Sequence, residues 1–136
     1  GSGVPVMGHL GLTPQSVHGL GGYKVQGREQ SVADQLLRDA EKLQELGCFS
    51  LVLECVPTQL AQKITQKLSI PTIGIGAGPY CDGQILVLHD LLGLSGMKFK
   101  FVRPFADGKQ LIAEALQNYS KAVKDKSFPN IEESFE

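Results

Sequence analysis

At 136 residues and 42% hydrophobic content, the chain holds one domain's worth of material, enough to bury about two-thirds of the surface its unfolded form exposes. Its 13 Lys+Arg against 14 Asp+Glu give a formal net charge of -1, so no basic field calls for nucleic acid and no polybasic segment for anionic lipid. No apolar run approaches the roughly 18 residues of a membrane span and Gly1-Ser2-Gly3 resembles no secretory signal, so a soluble, cytoplasmic chain without nucleic-acid or membrane partners is expected.

In chain order, Val4 to Met7 is a short apolar run closed by Gly8-His9, which predicts a buried strand running into the loop Leu10 to Pro14. The glycine-rich stretch Ser16 to Gly27 has no sustained period and reads as a functional loop. A helix is predicted from Ser31, with Asp34 three residues on as a weak variant of the capping box and Val32, Leu36, Leu37, Ala40 and Leu43 on one face. Gly47 ends it.

Phe49 to Val56 reads as the second strand, and Thr58 opens a helix with Leu60, Ile64 and Leu68 inward, stopped by Ile70-Pro71. Thr72 to Ile75 reads as a third strand entering the glycine loop Gly76 to Gly78, and Gln84 to Leu88 as a fourth strand or a helix start. Asp82-Gly83 reads as a turn. After an irregular region, Asp107 can cap a helix with Leu111, Ile112, Ala115, Leu116, Tyr119 and Val123 on one face. The polar segment 130–136 is left without assigned structure. Apolar strands alternating with amphipathic helices define an α/β class with a parallel sheet, in which ligands collect at the carboxyl ends of strands.

Glu54 breaks the apolar run Leu51 to Pro57, where an unpaired carboxylate would be costly to bury. It reads either as a general base at a strand end or as a half-buried carboxylate paired with a lysine or arginine from a neighbouring strand. His9 occupies the same kind of position, where it reads as a hydrogen-bond donor to a bound carboxylate or carbonyl, as a group that passes a proton, or as a satisfied structural histidine. His18 and His89 read as structural. The histidines lack HxH or HExxH spacing, so no metal site is expected from this chain alone.

Cys48, Cys55 and Cys81 fit neither a disulfide framework nor a zinc site and are expected to be structural thiols. A nucleophilic Cys55 is the alternative. The stretch Gly74 to Gly83 lacks the dinucleotide fingerprint, because Pro79 stands where its last glycine would be.

Four stretches together resemble the ketopantoate hydroxymethyltransferase family: GHLGLTPQSV (8–17), GGYKVQG (21–27), LVLECVP (51–57), and IGIGAG with DGQILVLHD (73–90). The resemblance implies a (β/α)8 TIM barrel of the pyruvate-utilising superfamily, for which about 250 residues are typical. Residues 1–136 would be its C-terminal half, with strands five to eight ending at His9, Glu54, Ile75 and near Val87.

It further implies transfer of a hydroxymethyl group from 5,10-methylenetetrahydrofolate to 3-methyl-2-oxobutanoate, giving 2-dehydropantoate in pantothenate biosynthesis. Glu54 would be the proton acceptor and His9 a substrate neighbour, with Ile75, Ile85 and Val87 lining the alkyl pocket. Mg2+ would chelate the oxo acid through ligands in the N-terminal half, supplied either by a companion half-barrel polypeptide or by a longer chain of which this one is an excerpt, within a homo-oligomer. Another oxo-acid lyase or mutase of the superfamily, or a noncatalytic half-barrel assembly partner, are the alternatives. The GGYKVQG and DGQILV stretches argue against the first of these.

Overall fold

A computed structural model of the chain describes residues 3–14, 24–96 and 98–135. The loop expected over Ser16 to Gly27 falls largely outside the described residues, and His18 lies wholly outside them. Two compact units are present, Gly1–Leu86 and Val87–Glu136.

The first unit runs β1 (Met7–Gly11), α1 (Gln30–Glu45), β2 (Ser50–Glu54), α2 (Thr58–Lys67), β3 (Thr72–Ile75) and β4 (Gly83–Gln84). The strands form one four-stranded sheet in the order β1-β2-β3-β4, every neighbouring pair parallel. That is the sheet the strand–helix alternation predicts, since parallel neighbours need a crossover and a helix is the usual one.

Its core lies between the sheet and the two helices. Leu51 and Leu53 of β2, Ala61 and Ile64 of α2, and Ala40 of α1 are all fully buried, with Leu36, Leu37, Leu43 and Leu68 packed around them. Each leucine at such a site contributes about 1.5–3 kcal/mol by leaving water. Val32, expected on this face, is exposed, and Ala33 packs there instead.

Several boundaries differ from expectation. The first strand is Met7–Gly11, not Val4 to Met7; Val4 and Val6 are exposed. Pairing with β2 in the register Met7↔Ser50 to Gly11↔Glu54 sets the strand, and backbone pairing overrides the local apolar run. Helix α1 starts at Gln30 with no side-chain cap; Gln30 Nε2 donates to Asp34 Oδ1 at 2.7 Å, so Ser31 and Asp34 form no capping box. Asp82-Gly83 is more than a turn, because Gly83 opens β4 and the Asp82 carboxylate accepts from both Thr72 N and Thr72 Oγ1.

The second unit holds α3 (Leu88–Leu91) and α4 (Gly108–Lys124). Asp107 caps α4 as expected, accepting from Gln110 N. The face bearing Leu111, Ile112, Leu116, Tyr119 and Val123 is nevertheless exposed along its length. The segment left unassigned contains a short 3-10 turn, Ile131–Glu133, where Asn130 and Glu133 complete a capping box. His89 is exposed on α3, and its backbone carbonyl accepts from Leu94 N. No helix among the described residues is long and apolar enough to cross a membrane.

Candidate functional site

Strand register decides which side chains meet. Paired residues of parallel neighbours share a face, and faces alternate along each strand. Leu10, Leu51 and Leu53 therefore point toward the helices, whereas His9, Val52, Glu54, Ile73 and Ile75 share the opposite face. His9 lies beside Val52 in the register and Glu54 beside Ile75, one pleat nearer the carboxyl edge.

From these positions His9 Nε2 and Glu54 Oε2 meet at 3.0 Å. An ionised carboxylate only accepts, so the imidazole Nε2–H donates. The side chains are 34% and 17% exposed, respectively. Glu54 thus has a partner across the sheet, an imidazole in place of the lysine or arginine that sequence reasoning considered. Its second oxygen, Oε1, has no protein partner among the described residues.

The backbone around the pair is tightly held. Glu54 O accepts from Leu12 N at 2.9 Å, Cys55 N donates to Ile75 O at 2.9 Å, and Cys55 O accepts from Gln26 N at 2.8 Å. Cys55 adopts φ 49, a left-handed conformation that few non-glycine residues take. Such strain is retained where surrounding structure fixes it, and here three hydrogen bonds do so. Its thiol is buried, and burial pushes its pKa up, with the adjacent Glu54 charge adding to the rise. That protonated thiol is a poor nucleophile. Cys48 is buried and Cys81 half-buried, and both are free thiols.

Of the expected lining residues, Ile75 is buried beside Glu54. Ile85 extends the ladder past β4, its N–H donating to Gly74 O at 3.0 Å, and its side chain is exposed. Val87 is exposed and belongs to the second unit, at the start of α3. In the second unit, Asp90, Ser95, Lys98, Phe105 and Asp107 line a concavity of their own.

Among the described residues no group of three His, Cys, Asp or Glu is arranged to hold a metal ion. Magnesium prefers several oxygen ligands in octahedral geometry, and Glu54, already bonded to an imidazole, does not provide that set. The residues present do not fit a magnesium site.

A parallel sheet with crossover helices, carrying an acid–imidazole pair at its carboxyl edge, defines a protein of the α/β class. The model of the family described as ketopantoate hydroxymethyltransferase matches residues 1–131, and the chain belongs to that family. It is 58% identical over 133 residues to a 3-methyl-2-oxobutanoate hydroxymethyltransferase of Methylobacterium sp. (strain 4-46), covering 97% of this chain and 46% of that relative. The enzyme of the same name from Syntrophomonas wolfei subsp. wolfei is 55% identical, with 97% and 48% covered. That from Coxiella burnetii (strain CbuG_Q212) is 54% identical, with 96% and 50% covered. The chain spans about half the length of the curated relatives it matches.

Gly11, Leu12 and Gln26 escaped sequence reasoning as contributors to this end of the sheet. The signal for Gly11 was its place in the GHLGL stretch; the other two act through backbone hydrogen bonds to Glu54 and Cys55 that have no local signature.

Proposed function

We propose that this chain contributes the proton-accepting part of a ketopantoate hydroxymethyltransferase site, with β1 to β4 as strands five to eight of a (β/α)8 barrel. The observation that carries the reading is the His9–Glu54 pair, held at the carboxyl edge on the sheet face opposite α1 and α2. His9 holds Oε2, so Oε1 is the basic atom.

Glu54 Oε1 removes the proton from C3 of 3-methyl-2-oxobutanoate, leaving the C–H electron pair as an enolate. Water hydrolyses the methylene bridge of 5,10-methylenetetrahydrofolate, breaking both C–N bonds to give tetrahydrofolate and formaldehyde. The enolate carbon adds to the formaldehyde carbonyl, and the resulting alkoxide takes the proton held by Glu54, giving 2-dehydropantoate. Ile75 and Ile85 pack against the branched alkyl end. Apolar contact of this kind discriminates a methylene by about 1–3 kcal/mol.

Magnesium ligands are assigned to a companion N-terminal half-barrel polypeptide, because no group among the described residues supplies them. The assembled enzyme is read as a cytoplasmic homo-oligomer.

The test is Glu54→Gln in the complemented enzyme. Gln keeps an oxygen that accepts from His9 but loses the base. Turnover and C3–H exchange in deuterated water are expected to fall about 10²–10⁴-fold, while native mass spectrometry shows unchanged assembly. Retained exchange would remove Glu54 from the chemistry.

A further inference from the structure

Beyond the acid and the imidazole, the residue that sets their separation is Gly11. We propose that Gly11 is a positioning residue for the His9–Glu54 pair, an inference that rests on the reading of Glu54 as proton acceptor.

Gly11 pairs with Glu54 in the β1–β2 register and takes φ +94, the last residue of its strand. There the chain comes close enough for Leu12 N to donate to Glu54 O at 2.9 Å. A Cβ on Gly11 would fall on Glu54 O, far inside van der Waals contact, and 2.8 Å from Val56 Cγ1. The first obstacle is backbone, which cannot rotate aside, so relief requires β1 to move away from β2 at that level.

His9 sits two residues earlier on β1, and its bond to Glu54 spans the same gap between strands. A displacement of about 1 Å stretches an N–H···O bond beyond its working range of about 2.7–3.2 Å. Gly11 therefore fixes the distance at which the imidazole grips Oε2, and with it the direction in which Oε1 points.

Gly47 provides the control. It has φ +90, yet a Cβ there meets nothing within 4 Å. Alanine at position 47 carries the conformational cost of a left-handed residue without the collision. A difference between G11A and G47A isolates the strand separation.

The experiment records long-range ¹H–¹⁵N spectra of the histidine rings in the full 136-residue chain, wild type, G11A, G47A and Glu54→Ala. Wild type and G47A are expected to show His9 fixed as the Nε2–H tautomer. G11A is expected to show its two ring nitrogens drawn together by tautomer averaging, as in Glu54→Ala. If G11A is unfolded in buffer, the spectra are taken in trimethylamine N-oxide, which favours the compact state. A folded G11A with wild-type ring shifts overturns the proposal, and so does a G11A that stays unfolded there while G47A folds.

In the complemented enzyme, C3–H exchange is expected to fall at least about 10-fold for G11A and to hold for G47A. Displaced ring shifts with unchanged exchange would sink the acceptor role of Glu54 and leave the positioning intact. Lost exchange with wild-type ring shifts would do the reverse.

Discussion

Removing the Asp82 carboxylate should weaken the sheet at β4, although Asp82 itself is exposed. Asp82 Oδ2 accepts from Thr72 N at 2.8 Å and from Thr72 Oγ1 at 3.1 Å, and Asp82 N donates to Thr72 Oγ1 at 3.3 Å. Thr72 is fully buried, so in Asp82→Ala its N–H loses its acceptor where water does not reach. A buried donor left unmet costs about 1–3 kcal/mol. The hydroxyl adds little, because Thr65 Oγ1 lies 2.8 Å away and can take it over.

A net loss of about 2 kcal/mol corresponds to a fall in Tm of roughly 6 °C for a chain of this size. Asp82→Asn keeps an acceptor oxygen and should lose less than about 1 kcal/mol. Thermal unfolding by circular dichroism measures both. Hydrogen exchange adds the local readout, since the Ile85 amide, bonded to Gly74 O, should lose protection in Asp82→Ala. A Tm within about 1 °C of wild type, with Ile85 still protected, would mean that water replaces the carboxylate, and the reasoning would fail.

Two further outcomes concern the core and the thiols. Leu53→Ala, at a fully buried site, should cost about 2–5 kcal/mol in urea unfolding; a loss under about 1 kcal/mol would show the site collapsing around the smaller side chain. Burial raises the Cys55 thiol, with Glu54 adding to it; burial also raises the Cys81 thiol, partly offset by hydrogen bonds with Thr65 and Thr72. Groups that hold protons more tightly when folded contribute fully below the unfolded pKa of about 8.5 and lose that contribution as pH rises through the folded value. Stability should thus decline above about pH 8.5 and decline less in Cys55→Ala, as read from urea midpoints across pH.

Much of the fold was legible because its signals are local. β2, α2 and β3 follow from apolar runs and the stop at Ile70-Pro71, and Glu54 stood out as the one charge in LVLECVP. His9 and Glu54 could be named singly, but their contact spans 45 residues of sequence and depends on a register that neither strand specifies alone. Asp82 was misread for a related reason: Asp-Gly carries strong turn chemistry, which hides a carboxylate used ten residues back at Thr72. The β1 boundary failed because pairing with β2, not the hydrophobicity of Val4 and Val6, decides where that strand lies. In α4 the period was right and its burial was not, since a helical repeat says which residues align and not what they lie against.

That exposed stripe on α4 bears on how the molecule breathes. A 17-residue helix with its leucines in water draws almost nothing from the dehydration that steadies α1 and α2, and isolated helices of this length are marginal. Its amide protons should trade with solvent through brief local melting, long before those of β2 do. Leu111 and Leu116 thereby mark a helix expected to open before the buried strands, one that would stiffen when something apolar lies down along it.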